Sequence, residues 1–278
     1  MIPNMIPKRT SSKLTLAFIG ALLLLSFFLG KDASHEAGVH VAIAPETLFS
    51  IGGFPVTNAL LWSVFLSTLL IALAFRLRSS LREVPKGFQN VAEALIETYF
   101  NFTNTITGSV KKTKKIFPLA FSMFVFILLA NILTLLPGVP AITFHNEPIF
   151  RAIVTDYNLV LFLTLTTVIL IQIVAVIVNG PFGYMKKFIN FSSPLNFILG
   201  IMDIVGELSK VLSMSFRLFG NIFAGEVLIA VMLSLMPYFV PLPFMLLGLL
   251  AGVIQAFVFS LLTIVFVSMA SEKASHGA

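Results

Sequence analysis

Apolar residues in this chain of 278 residues gather in long runs instead of alternating with polar ones. A run of roughly 20 apolar residues is long enough to cross a ~30 Å hydrocarbon core as a helix. The first run, Leu14 to Leu29, is shorter and follows Lys8, Arg9 and Lys13. That order matches the leading regions of a signal peptide over residues 1–31, with an uncleaved first helix as the competing reading. Residues 32–56 are mixed, punctuated by Gly and Pro, and show no strong pattern. They read as an N-terminal segment outside the membrane domain of residues 57–272.

Within that domain the pattern predicts a first span over Thr57–Phe75, ending in Arg76, Arg78, Arg82 and Lys86. Phe88 to Ile106 places Val91, Leu95, Phe102 and Ile106 near helical spacing beside Glu93 and Glu97. It reads as an amphipathic helix lying on the membrane surface. Lys111, Lys112, Lys114 and Lys115 precede a second span, Ile116–Leu136, closed by Pro137 and Pro140. A polar loop with His145, Glu147, Arg151 and Asp156 leads to a third span, Asn158–Val178, followed by Lys186 and Lys187. The loop acids and His145 read as solvated, the competing reading being an outer vestibule. The region from Pro194 to Ser271 is broken only at Pro237–Pro243 and predicts two long helices in a hairpin. Each exceeds a perpendicular crossing, so strong tilt is expected.

The expected fold is therefore all-α and integral to the membrane, with five spans after removal of the signal and a short tail at residues 273–278. Basic residues cluster after the first and third spans and before the second, whereas the opposite loops hold only Arg151. The positive-inside rule makes the clustered side cytoplasmic, with the N-terminus outside and the C-terminus inside.

Composition narrows the function. Hydrophobic residues make up 58% of the chain and charged residues 11%, against about 25% charged in an ordinary soluble domain. A soluble enzyme is excluded. The net charge of +6 sits in short clusters between apolar runs, which speaks for membrane orientation and against nucleic-acid binding. There is no cysteine, and the four histidines (His35, His40, His145, His276) lie outside the apolar runs. A haem, a zinc site or an intramembrane protease would need such ligands at membrane depth, so no cofactor or metal is expected. No phosphate-cradling glycine loop is present either. What remains is moving something across the membrane.

The charges that do enter an apolar run are concentrated. Asp203, Glu207, Lys210, Arg217 and Glu226 fall in one predicted helix together with Asn221. A charge at the bilayer centre costs at least ~2.5–3.5 kcal/mol on insertion scales, so such residues face protein or water and serve transport. At about 100° per residue, Asp203, Glu207, Lys210 and Asn221 lie within roughly 80° of Arg217, whereas Glu226 lies about 180° away. Two polar environments, back to back and displaced along the axis, suit two separate aqueous paths. Guanidinium stays protonated, so Arg217 cannot relay protons; it can draw in a carboxylate, lower its proton affinity and repel hydronium. A buried structural bridge from Arg217 to Glu207 or another carboxylate is the bland alternative. Glu207 and Lys210 are open between a structural i,i+3 pair and part of a channel. In the last helix Gly248, Gly252 and Gln255 share a face; the glycines permit close helix approach, and Gln255 is in line to bond the Arg217 seam. Asn131 and Gln172 are expected to form interhelical hydrogen bonds.

The run Ser215-Phe-Arg-Leu-Phe-Gly-Asn-Ile-Phe-Ala-Gly-Glu226 resembles the signature of ATP synthase subunit a, and Ile254-Gln-Ala-Phe-Val-Phe259 resembles its partner in the last helix. Weaker echoes are Val84–Gln89, Asn131 with Leu135-Leu-Pro137, and Thr155–Asn158. The resemblance spans roughly residues 55–272 and implies the ion-conducting stator subunit of a rotary F-type enzyme. It further implies a ring of c subunits, a peripheral-stalk subunit b and the remaining F0F1 subunits as partners, with catalysis on other chains. Arg217 matches the family arginine that faces the c-ring. Asn221, Glu226, Gln255 and Asp203 match polar positions on the proton paths, which would be two offset half-channels. Some members carry a histidine in the last helix near the Glu226 site; Gly248 stands about there instead. Glu207 is an extra acid relative to some members. A bacterial inner membrane fits the N-terminal segment best, with a plastid origin as the alternative. The runner-up is a standalone ion channel or secondary transporter, although no internal repeat is visible; a membrane scaffold is a third reading.

Overall fold

The computed structural model describes residues 46–51, 54–79, 81, 87–134, 143–144, 147–148, 151–188, 194–236 and 239–271. Residues 1–31, Pro137, Pro140, His145 and the tail at 273–278 lie outside the described residues. In chain order the elements are β1 (Thr47–Ile51), β2 (Phe54–Thr57), α1 (Asn58–Ser79), α2 (Phe88–Thr107), α3 (Val110–Thr134), β3 (Thr143–Phe144), β4 (Glu147–Pro148), α4 (Tyr157–Asn179), α5 (Pro181–Phe188), α6 (Pro194–Leu235) and α7 (Pro241–Ala270). The strands form two small antiparallel hairpins, β1 with β2 and β3 with β4. Among the described residues five helices, α1, α3, α4, α6 and α7, are long and apolar enough to cross a membrane. This is the all-α membrane class indicated by the apolar runs, and the chain is a multi-pass membrane protein.

Local chemistry explains several boundaries. The Thr57 hydroxyl accepts the Leu60 N–H at 3.2 Å and starts α1, as a threonine cap does. α2 stops at Gly108, whose φ of 62° is left-handed and whose N–H reaches Asn104 O, a conformation that glycine adopts without strain. The chain turns there into α3, and a 2.6 Å bond between the buried Thr107 and Thr113 hydroxyls ties the corner. Lys111, Lys112, Lys114 and Lys115 lie within the first turns of α3 and do not precede it. Their long stems can run along an apolar helix while the ammonium groups stay in water. Pro118 sits inside α3 and withholds the N–H that would bond the Lys114 carbonyl.

Three further features depart from the sequence reading. Residues 32–56, read as patternless, contain β1 and most of β2. α5, not anticipated, begins with Pro181 directly after Gly180, whose φ is 73°; proline at a first helical position is favourable. Asp156, read as solvated loop, is 3% exposed. It caps α4 by accepting the Asn158 N–H at 2.9 Å.

The described chain falls into two compact units. The larger comprises residues 42–223 and 249–278, described from residue 46. Its core takes Trp62 and Leu66 from α1, Phe124 and Ile127 from α3, Val160 and Ile171 from α4, Met214 and Leu218 from α6, and Phe259 and Ile264 from α7. Lipid is as apolar as these side chains, so helix association rests on close packing and interhelical hydrogen bonds. The C-terminal half of α2 joins this core through Tyr99, which stacks on Phe124 at 5.2 Å and meets Phe117 edge-on at 6.0 Å. Its N-terminal half leaves Phe88, Val91, Leu95 and Ile96 exposed. The described part of the smaller unit is residues 224–236 and 239–248. Within it a Cβ on Gly248 would rest 3.8 Å from Ile229 Cδ1, an ordinary contact.

Candidate functional site

α6 turns Val211, Met214, Ser215 and Leu218 inward. Leu212, Ser213, Phe216 and Arg217 are left on the opposite, exposed side. The Arg217 guanidinium bonds Ser213 Oγ at 3.2 Å, one turn back. Among the described residues it has no carboxylate partner, whereas Lys210 on the same helix pairs with Glu207 at 2.8 Å. Asn221, one turn further, is also exposed. Phe216 stacks on Tyr157 of α4 at 5.4 Å, and Tyr157 meets Phe219 edge-on at 5.6 Å. These rings fix the rotation of α6 and thereby aim Arg217 outward.

The other charged groups of the predicted seam are engaged differently. Glu207 accepts from Lys210 on one oxygen and from Gln172 Nε2 of α4 at 2.6 Å on the other. The Lys210 ammonium lies over the Phe266 ring of α7, 5.0 Å from its centroid. So Glu207 and Lys210 form the i,i+3 pair, and Arg217 is not bridged to Glu207. Asp203 is half-buried. Gln255 is 4% exposed and makes no hydrogen bond to Arg217 among the described residues, because the one faces inward and the other outward. Gly252 packs against α3, and its carbonyl takes the Asn131 Nδ2–H at 3.0 Å. Asn131 and Gln172 thus make the interhelical bonds expected of them. Glu226 is half-buried within the smaller unit.

Residues 59–268 match the family described as ATP synthase A chain. The chain belongs to that family. The chain is 32% identical over 226 residues to the ATP synthase subunit a of Moorella thermoacetica, covering 81% of this chain and 96% of the relative. It is equally 32% identical over 240 residues to the subunit a of Syntrophobacter fumaroxidans, with 86% and 94% covered. The subunit a of Campylobacter concisus is 32% identical over 211 residues, covering 75% and 87%. The matched stretch reaches from α1 into α7 and so contains every charged residue of α6.

In this family member, one participant escaped the sequence reading. The Tyr184 hydroxyl of α5 donates to Gln172 Oε1. Burial, and secondarily the Glu207 carboxylate, push its pKa above the usual tyrosine value. The sequence signals available were the Gly180-Pro181 helix start and a lone tyrosine in a basic loop, neither of which names a partner.

Proposed function

We propose that this chain is the proton-conducting stator subunit of a rotary F-type ATP synthase, with two offset half-channels that load and unload carboxylates on a c-ring. Arg217 separates the two paths. The observation that carries this reading is an exposed guanidinium on an apolar helix with no carboxylate of its own described chain beside it. Such a charge costs at least ~2.5–3.5 kcal/mol at membrane depth, and a carboxylate arriving on another chain supplies the compensation. A permanently protonated group lowers the proton affinity of an arriving carboxylic acid, so that its proton leaves into a half-channel, then pairs with the carboxylate formed and blocks direct passage of hydronium.

Asp203, Asn221, Glu226 and Gln255 are assigned to the polar lining of the two paths, following the family resemblance. The long α6–α7 hairpin lies tilted along the ring. A membrane potential of 100 mV delivers about 2.3 kcal/mol per charge moved. The chain is not catalytic alone; ATP chemistry belongs to partner subunits, and a subunit b stalk holds the stator. The setting is a bacterial inner membrane with the C-terminus in the cytoplasm, as the basic clusters direct.

The test is Arg217→Ala in the assembled complex, in inverted membrane vesicles. ATP-driven acidification is lost while assembly persists, and passive proton leak under an imposed potential rises. Normal pumping with a neutral residue at 217 sinks the mechanism and moves the standalone transporter to first place.

A further inference from the structure

Lys210 precedes Arg217 by seven residues, so the two cations share a face of α6 about 10 Å apart along its axis. An incoming carboxylate that met two uncompensated cations there would have two resting places. The structure removes one of them. Lys210 is drawn over Phe266 and paired with Glu207 at 2.8 Å, whereas Arg217 stays exposed. A guanidinium and an ammonium in similar sequence positions are thus treated in opposite ways.

The pairing depends on where Glu207 points. Its second oxygen is held by Gln172 Nε2 at 2.6 Å, and the orientation of that amide is set in turn by the Tyr184 hydroxyl on Gln172 Oε1. Three elements, α4, α5 and α6, contribute one side chain each to the chain of bonds that ends on Lys210. This chain is not a proton wire. The Gln172 amide donates through nitrogen and accepts through oxygen, so a proton arriving at one atom cannot leave by the other without forming an imidic acid. Fixed dipoles of this kind orient a charge without carrying one.

We infer that Gln172 and Tyr184 are positioning residues that hold Glu207 against Lys210, so that Arg217 is the one uncompensated cation a ring carboxylate meets on this face of α6. The inference rests on the stator reading given above and adds a task to residues which that reading leaves aside. Glu207 serves here as a fixed counter-charge, outside the proton's route.

The experiment measures ATP-driven acidification in inverted vesicles, normalised to assembled complex, for Glu207→Gln and for Glu207→Gln with Lys210→Met. Glu207→Gln keeps the volume but frees the ammonium, and pumping falls about tenfold, equivalent to ~1.4 kcal/mol on the rate-limiting step. Adding Lys210→Met removes the competing cation and returns most of the pumping. Gln172→Leu gives a smaller loss that disappears in the Glu207→Gln/Lys210→Met background, because the residue acts only through the pair. Failure of Lys210→Met to rescue Glu207→Gln, or normal pumping by Glu207→Gln, overturns the inference. If Glu207→Gln does not assemble, Tyr184→Phe with and without Lys210→Met gives the same comparison. Arg217→Ala runs in parallel: normal pumping there condemns the stator mechanism itself, whatever the Glu207 series shows.

Discussion

Asn131 of α3 donates its side-chain N–H to the carbonyl of Gly252 in α7 at 3.0 Å, across 121 positions of sequence. The bond needs glycine at 252. A Cβ there would lie 3.0 Å from Asn131 Cβ and 3.2 Å from its Nδ2, closer than side chains normally approach. Close backbone approach and a polar bridge thus occur at one point, the two devices that hold helices together in lipid.

Gly252→Ala is expected to push α7 from α3 and break the Asn131 bond. Asn131→Ala alone costs about 0.6 kcal/mol, the average for an interhelical hydrogen bond in a membrane, and at most about 1.7 kcal/mol. The two changes are non-additive: after Gly252→Ala, removing the Asn131 amide costs little more. Unfolding of the purified chain in detergent, singly and in combination, measures this. Strict additivity would show that the two residues act separately.

Gly200 presents a harder limit. A Cβ at this position would overlap the Phe188 carbonyl oxygen and stand 2.8 Å from its carbon. Backbone cannot yield as a flexible side chain does, so Gly200→Ala separates α6 from the end of α5. Gly206, six residues on, has nothing within 4 Å of a built Cβ. There alanine gains up to about 1 kcal/mol of helix propensity. The pair of alanine variants, compared by thermal unfolding of the isolated chain, should move in opposite directions; equal behaviour would refute the close approach at 200.

Tyr99 makes a prediction about alkaline pH. Burial pushes its hydroxyl from 10.0 up to about 12, and Ser260 offsets this only in part. The hydroxyl is buried without a hydrogen-bond partner among the described residues. The Ser260 proton goes to Phe257 O at 3.0 Å, leaving proximity to Tyr99 but no well-formed bond. The protonated phenol is favoured in the fold, so its contribution is intact below pH 10. It is lost as pH rises toward 12, because the unfolded chain ionises first. Tyr99→Phe should leave stability at pH 7 unchanged or raised by about 1 kcal/mol and flatten the decline above pH 10 relative to wild type. Chemical denaturation at pH 7, 9 and 11 tests both halves, and a large loss for Tyr99→Phe at pH 7 would mean the hydroxyl has a partner after all.

The spans were legible because a helix in lipid must satisfy its own backbone, so length and apolarity alone locate it. α1, α3, α4, α6 and α7 emerge near their expected positions for this reason. α5 and the two hairpins were not legible, since eight residues or fewer give no periodicity to read. Asp156 was misread because a cap and a solvated loop acid have the same composition; only the 2.9 Å bond to Asn158 N distinguishes them.

The site divides in the same way. Sequence alone determined that α6 carries its charges in a membrane-length apolar run, and that its Arg-Leu-Phe-Gly-Asn motif belongs to the subunit a family. Helical geometry then placed Lys210 and Arg217 on one face. Tertiary structure decided that Lys210 is turned in and neutralised while Arg217 is turned out. The physical reason is that helical spacing sets angles within one helix only. Which of two neighbouring cations finds a carboxylate depends on Gln172 of α4, Tyr184 of α5 and Phe266 of α7, groups that sequence separation hides and packing brings together.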